Sequence, residues 1–381
     1  MKRSLDNLPK KVIILGTAWP FRGGLAAFNE RLANELEHRQ ISTEIITFTV
    51  QYPNILFPGK TQFSEEPSTF AKIKRKLSSV NPISWWTTAK YINKEQPDLV
   101  ITRYWIPFMG PCLGSVVRLL NKKIKVVCLL DNVVPHEKRI GDVVFTKYFV
   151  KPIQKYIAMS QTVMDDLYSF KKGGSCILNP HPVFDNFGEK LNQDVAKKEL
   201  NLNLEDDYVL FFGFIRKYKG LDLAIRAFAE WKDRLPNKKL IIAGEFYGDA
   251  DFYYSIAEEL GIKEDIIWHT DFIPDSKVKY YFSACDVVLQ PYYSATQSGV
   301  TQIAYQFEVP MIVTKVGGLP ELVQHGKTGY LVEQDPVDIA QHVVEFYKKG
   351  RPAFDADMKK AKEQFSWKNL VNNFIKLYQE S

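Results

Sequence analysis

The chain is sparing with cysteine, with paired metal ligands and with long apolar runs, and each scarcity removes a class of function. Its four cysteines, Cys112, Cys128, Cys176 and Cys285, are never closer than 16 residues, so no CxxC pair with zinc or redox spacing exists. They read as free buried thiols in a reducing compartment. His38, His269, His325 and His342 show no ligand spacing, and no metal is expected. The most apolar run, 104–117, is broken by Pro107 and Pro111 and closed by Arg118. It falls short of the ~20 residues a membrane-spanning helix needs. Residues 1–11 carry charges but no apolar core, so no secretory leader is expected. The first apolar strand is not followed by GxGxxG, which speaks against a dinucleotide-dependent dehydrogenase. A cytoplasmic protein is the expectation.

What is present is a globular composition. The 381 residues are 45% hydrophobic, 25% charged and 13% aromatic, enough for two domains of ordinary size. The net charge of +6 is unevenly spread. Residues 1–187 hold 26 Lys and Arg against 15 Asp and Glu, and residues 188–381 hold 24 against 29. A basic half suggests an anionic partner on that side, and a solvated surface accounts for it equally well.

Short β-rich runs alternate with stretches of helical period almost throughout. Strands are expected at 11–16, 44–50, 98–104, 125–130, 156–160 and 175–178, with a helix at 25–40. The segment 51–81 reads as a long loop, rich in proline and carrying Lys72, Lys74, Arg75 and Lys76. The pattern pauses around 179–183, and the domain boundary is placed at 187/188. Alternation then restarts. Strands are expected at 208–213, 239–244, 266–269, 286–290, 310–314 and 329–332, with helices between them. Such alternation argues for two consecutive α/β domains, each with a doubly wound parallel sheet. Ligands of these sheets bind at the carboxyl ends of the strands, and two facing domains would make a deep cleft.

The strongest chemical signal is Phe211-Phe-Gly-Phe-Ile-Arg216-Lys217-Tyr218-Lys219-Gly220. A strand ends, a glycine turns the chain, and three cations precede a helix. Forked hydrogen bonds from Arg, a point charge from Lys and free N–H groups of a helix end suit a diphosphate.

From here the chain resembles a known family. The run 213–220, Gly317-Gly-Leu-Pro-Glu321-Leu-Val and His325-Gly-Lys-Thr-Gly-Tyr-Leu-Val332 look like the second domain of retaining glycosyltransferase family 4, the glycosyl transferases group 1. The pair Gly23-Gly24 and the run Asp131-Asn-Val-Val-Pro-His136-Glu137 look like its first domain. Phe365-Ser-Trp-Lys resembles its final helix, which crosses back onto that domain. The resemblance implies the GT-B fold, two Rossmann-like domains facing across a cleft. Residues 1–187 would be the acceptor side, joined by the tail 365–381, and 188–364 would hold the nucleotide-sugar.

The implied reaction moves a hexose-type sugar from a nucleotide-diphosphate sugar to an acceptor hydroxyl with retention, without metal or other cofactor. The implied setting is surface polysaccharide or glycolipid synthesis, with a saccharide or lipid-linked acceptor. Arg216 and Lys219 would neutralise the departing diphosphate. His136 would contact the transferred sugar. Gly23 and Gly24 would let the backbone approach a ligand closely, and Glu321 would sit near the site. One departure stands out. The family's two glutamates, eight apart, fall here on Ala295 and Ile303 when aligned on Pro310. Gln297 or Gln302 would supply hydrogen bonds to sugar hydroxyls instead, and Ser298, Gly299, Val300 and Thr301 would offer N–H groups to phosphate.

Two other readings share this architecture: a nucleotide-sugar epimerase, and a nucleotide-sugar-binding scaffold that has lost activity. The basic-aromatic stretch 70–91, with Trp85, Trp86 and Tyr91, suits either an amphipathic helix packed on its own domain or the face of an anionic membrane. No nucleic-acid motif accompanies it. His181, between two prolines, reads as a turn residue or as part of the cleft wall.

Overall fold

The structure is a computed structural model that describes residues 8–53, 62–64, 67–135, 140–295 and 298–380. The chain divides into two compact units, Met1–His181 with Trp367–Ser381, and Pro182–Ser366. Each is a parallel sheet wound with helices.

In unit 1 the elements run β1 (Lys11–Leu15), α1 (Gly24–His38), β2 (Ser42–Val50), β3 (Ile73–Ser78), α2 (Pro82–Glu95), β4 (Leu99–Tyr104), α3 (Gly110–Leu119), β5 (Lys125–Leu130), α4 (Asp142–Val150), β6 (Lys155–Ala158), α5 (Gln161–Phe170) and β7 (Ser175–Leu178). The strands lie in the order β3-β2-β1-β4-β5-β6-β7. β1 shows why a central parallel strand is apolar at every position. Ile13 and Leu15 enter the core on one face, and Val12 and Ile14 enter the core on the other.

Unit 2 contains α6 (Gln193–Glu199), β8 (Asp207–Phe212), α7 (Leu221–Trp231), β9 (Lys238–Ala243), α8 (Ala250–Glu259), β10 (Ile266–His269), α9 (Asp275–Ala284), β11 (Val287–Gln290), α10 (Gly299–Gln306), β12 (Met311–Thr314), α11 (Leu319–Leu322), β13 (Gly329–Val332), α12 (Pro336–Lys349) and α13 (Asp355–Gln364). Its strand order is β10-β9-β8-β11-β12-β13. The last helix, α14 (Trp367–Gln379), returns to unit 1. There Trp367, Leu370, Val371, Phe374 and Leu377 are buried, each worth about 1.5–3 kcal/mol of transfer free energy. Lys125 and Lys155 donate to the carbonyls of Tyr378 and Leu377 at its C-terminus, at 2.6 and 2.7 Å.

Three features differ from the sequence reading. The segment 51–81 is not all loop, and 70–91 is not one helix. It contains edge strand β3, then α2, whose N-cap Asn81 accepts from the Ile83 N–H at 3.0 Å. The basic run of β3 hid it, and lysines on an edge strand guard against edge-to-edge pairing. The boundary expected at 187/188 falls instead at 181/182, because Val183 donates to the Phe365 carbonyl at 2.9 Å and Phe184 and Phe187 pack on the unit 2 core. The tail expected from residue 365 starts at Trp367, since the Phe365 ring lies 4.5 Å from that of Tyr305.

All four cysteines are free. Burial pushes the thiols of Cys112 and Cys285 up to about 12 and that of Cys176 to about 11, so they stay protonated and inert. Among the described residues no helix is long and apolar enough to cross a membrane.

Candidate functional site

The unit 2 sheet reverses its strand order between β8 and β11, and the crevice beyond the carboxyl ends there is where such sheets take ligands. The chain leaves β8 at Phe212 and turns through Gly213, with φ 95°. One 3-10 turn follows, Lys217–Lys219, and Gly220, with φ 65°, opens α7. A Cβ on Gly220 would lie 2.0 Å from the carbonyl oxygen of Pro291, just past β11, so only glycine fits. The Tyr293 N–H donates to the Tyr218 carbonyl at 2.7 Å. The loop after β8 is thereby laced to the loop after β11.

This lacing turns Lys219 inward. It is 9% exposed, beneath the Tyr292 ring, whose centroid is 5.8 Å from Nζ. The site a Cβ on Gly213 would occupy is 2.9 Å from Lys219 Nζ and 3.6 Å from Val300 Cγ2, in the first turn of α10. Among the described residues no carboxylate pairs with Lys219. Burial, and then the charge of Arg216, push its ammonium down to about 8. Arg216 stays exposed, its guanidinium 5.0 Å from the Tyr247 ring centroid.

α10 supplies a second group of donors. Its N-cap, Ser298, makes no side-chain cap, and the hydroxyls of Ser298 and Tyr292 lie 3.3 Å apart. The N–H groups of Gly299, Val300 and Thr301 are thus first-turn donors without intrahelical partners. The Thr301 hydroxyl is turned to the sheet, donating to Gln290 Oε1 at 3.1 Å, so only its backbone faces outward chemistry. Arg216, Lys219 and the start of α10 therefore converge on the carboxyl end of β8.

Gln302 does not join them in the open. It is 2% exposed, and among the described residues its Oε1 has no hydrogen-bond partner. Gln290 Nε2, at the end of β11, is equally unpartnered. Buried amide groups without partners are uncommon. Ile303 is a core residue, and the Ala295 carbonyl lies 1.4 Å from where a Gly317 Cβ would be. No acid replaces the two missing ones at these positions. Glu321 is exposed on the single turn of α11, after β12. His136 and Gln297 lie outside the described residues.

The sequence reading missed an aromatic shelf. Phe214, Tyr247 and Phe272 follow β8, β9 and β10, and all three are exposed. The Phe214 centroid is 4.7 Å from Tyr247 and 6.3 Å from Phe272. Three exposed aromatics at loop positions were the available signal. A cavity of unit 2, about 380 Å³, opens elsewhere, beside Leu200, Lys239 and Asp265, and none of its walls comes from the 213–220 loop.

In unit 1, Gly23 has φ 107° and Gly24 begins α1. A Cβ on either would meet nothing within 4 Å, so the space above them is open. Glu30, 5% exposed, holds the loop before them. It accepts from the N–H groups of Trp19 and Thr69, both at 2.9 Å, and from the hydroxyls of Ser68 and Thr69 at 2.8 and 3.0 Å. Buried Arg103 grips Asp131 with Nε and Nη2, both at 2.6 Å, and reaches Asn29 Oδ1 at 3.2 Å. That fork fixes the start of the Asp131 run. The His181 ring packs edge-on against Phe28 at 4.9 Å. Among the described residues no group of three or more His, Cys, Asp or Glu could hold a metal.

Residues 192–365 match the family model described as glycosyl transferases group 1. D-inositol 3-phosphate glycosyltransferase of Corynebacterium jeikeium is 30% identical over 313 residues, 74% of this chain and 72% of that protein. Against its counterpart in Corynebacterium aurimucosum, also 30% identical, the chain spans about half the length, 46% of that protein and 49% of this chain. N-acetyl-alpha-D-glucosaminyl L-malate synthase of Bacillus anthracis is 22% identical over 95% of both chains. In fold the chain is similar to sucrose-phosphate synthase of Thermosynechococcus elongatus, with a TM-score of 0.70 at 19% identity over 97% of this chain and 98% of that one. It is also similar to HepE of Anabaena in complex with UDP, with a TM-score of 0.68 at 14% identity over 96% and 98%. Two Rossmann-like parallel-sheet units, a cationic loop at the carboxyl end of β8, and likeness along most of a relative's length lead to one conclusion: this chain belongs to the glycosyl transferases group 1 family.

Proposed function

We propose that the protein moves a hexose-type sugar from a nucleotide-diphosphate sugar to an acceptor hydroxyl, with retention and without a metal. Unit 2 takes the donor and unit 1 the acceptor. The observation that carries this reading is Lys219, a nine-tenths buried cation with no carboxylate partner among the described residues. An unpaired buried charge is costly, and the crevice that holds it is completed by an anion.

The chemistry then follows from placement. As the bond between the sugar's anomeric carbon and the phosphate oxygen breaks, its electron pair goes to that oxygen. Lys219 and Arg216 meet the growing charge, and the first-turn N–H groups of α10 add fixed donors. The acceptor hydroxyl oxygen bonds to the anomeric carbon, and its proton passes to the departing phosphate. The Phe214, Tyr247 and Phe272 shelf offers flat faces on which a nucleobase can stack. UDP is the first nucleotide to try, since HepE of Anabaena holds it. Retention, membership of family 4 and a place in surface polysaccharide or glycolipid synthesis rest on the motif resemblance. The test is a thermal-shift screen against UDP, GDP, ADP and their sugars. A ligand present at 100 times its Kd raises stability by about 2.7 kcal/mol. No response to any of them would defeat the reading. Anomeric NMR of the product tests retention.

A second element is peripheral contact of unit 1 with an anionic membrane. On α2, Ile83 is 71% exposed and Trp86 54%, with Lys90 Nζ 5.2 Å from the Trp86 ring centroid. The cations of β3 support it less, because Lys72 and Lys74 pair with Glu37 and Glu44, both at 2.8 Å. Co-sedimentation with anionic liposomes that Trp86→Ala does not reduce would remove this element.

A further inference from the structure

Unit 1 holds a cavity of about 230 Å³ at the carboxyl end of β2, among whose walls are Phe21, Gln51, Tyr52, Gln62 and Phe63. It lies against the loop that leads to Gly23. The Arg22 N–H donates to the Gln62 carbonyl at 3.0 Å, and the Ser64 N–H donates to the Pro20 carbonyl at 2.8 Å. Phe21 thus forms one wall and, two residues on, the chain reaches the open space above the glycine pair.

Two glutamines in this wall are each more than nine-tenths buried, Gln51 at 7% exposure and Gln62 at 9%. The amide orientation of Gln62 is settled by its neighbour. Gln62 Nε2 donates to the Tyr52 carbonyl at 3.1 Å. The Gln51 side chain hydrogen-bonds the Tyr52 hydroxyl, which also accepts from Trp105 Nε1 at 2.8 Å. The Gln62 NH2 group is engaged, and among the described residues neither Oε1 atom has a partner. Two stranded acceptors beside one cavity are an unusual coincidence, because buried polar atoms are nearly always satisfied. Among the described lining residues none is lysine, arginine or histidine, while three are aromatic.

We infer that this cavity binds the acceptor, and that the acceptor presents a neutral, hydroxyl-rich saccharide ring. Ring hydroxyls donate to Gln51 Oε1 and Gln62 Oε1. The apolar C–H face of the ring lies on an aromatic side chain such as Phe63. The volume holds about eight waters at ~30 Å³ each, room for one ring and not for a chain of them. Among the described lining residues a phosphate or carboxylate has no cation to meet, so an acceptor bearing one at this position is disfavoured. The inference rests on the reading of unit 1 as the acceptor side and narrows it to a substrate class.

The test uses the full chain. Binding of methyl α-D-glucopyranoside, galactopyranoside and mannopyranoside is measured by saturation-transfer NMR and calorimetry, beside myo-inositol phosphate and malate. At least one pyranoside binds, and Gln51→Leu and Gln62→Leu each weaken it about five- to tenfold, the value of one lost hydrogen bond. Phe63→Ala guards against misfolding, since Phe63 is 44% exposed, and it weakens the same ligand while the thermal response to UDP is kept. Pyranoside binding unaffected by all three variants overturns the inference, as does tighter binding of the anionic compounds. A normal UDP response with no pyranoside binding defeats the cavity assignment alone. Variant-sensitive pyranoside binding without any nucleotide response upholds the cavity and defeats the transfer reading.

Discussion

Lys219→Met should make the free protein more stable and the nucleotide weaker, and both effects follow from one geometry. The folded chain holds the ammonium at about 8 against 10.5 for the free side chain. Each unit of depression corresponds to about 1.4 kcal/mol, so the unliganded fold carries roughly 3 kcal/mol of penalty at neutral pH. Methionine keeps the volume and removes the charge. For a unit of this size about 1 kcal/mol moves Tm by 2–4 °C, which sets the expected gain at about 6–12 °C by calorimetry. The thermal response to UDP, the first nucleotide to try, should vanish in the same variant. The pH dependence has a definite sign. Between about 8 and 10.5 the unfolded chain binds the proton that folded Lys219 has released. Wild-type stability relative to the variant therefore rises with pH across that window, and below about 8 the full penalty persists. Nucleotide affinity runs the other way, falling as pH rises through about 8. A Lys219→Met protein less stable than wild type, or one that keeps its UDP response, would refute the reasoning.

Gly220→Ala combines a left-handed backbone with a Cβ 2.0 Å from the Pro291 carbonyl, and should cost at least about 2 kcal/mol in urea unfolding. Gln302→Ala should weaken the sugar-nucleotide about five- to tenfold while leaving the bare nucleotide unchanged, as read by titration calorimetry, if its stranded oxygen serves the sugar. Arg103→Met leaves Asp131 without its fork, and should destabilise unit 1 by about 3–5 kcal/mol in denaturant titration.

How much was legible in the sequence depended on how local each cause is. The strands 125–130, 175–178, 266–269 and 329–332 coincide with β5, β7, β10 and β13; β5 and β13 are mostly buried, while β7 and β10, half-buried at sheet edges, still read as short apolar, β-branched runs between turn signals. The cationic turn 216–219 was visible, because strand, glycine, cations and helix are contiguous. β3 was not, because Lys74 and Arg75 sit exposed on an edge strand whose pairing partner, β2, is separated from it by a long connection. Phe365 and Trp367 read as one motif, yet fall in different units, a choice made by Tyr305 on one side and Phe28 on the other.

Periodicity and turn chemistry, which act within a few residues, determined two doubly wound units and placed a cation-rich loop at the end of one strand. They said nothing of which cation would be buried. That was decided by tertiary contacts: the Pro291 carbonyl beneath Gly220, Val300 and Tyr292 around Lys219. Likewise two glutamines, Gln51 and Gln62, read as loop residues until folding surrounded them and left their oxygens unpaired among the described residues. Desolvation and hydrogen-bond satisfaction depend on neighbours distant in the chain, so only the folded molecule sets them.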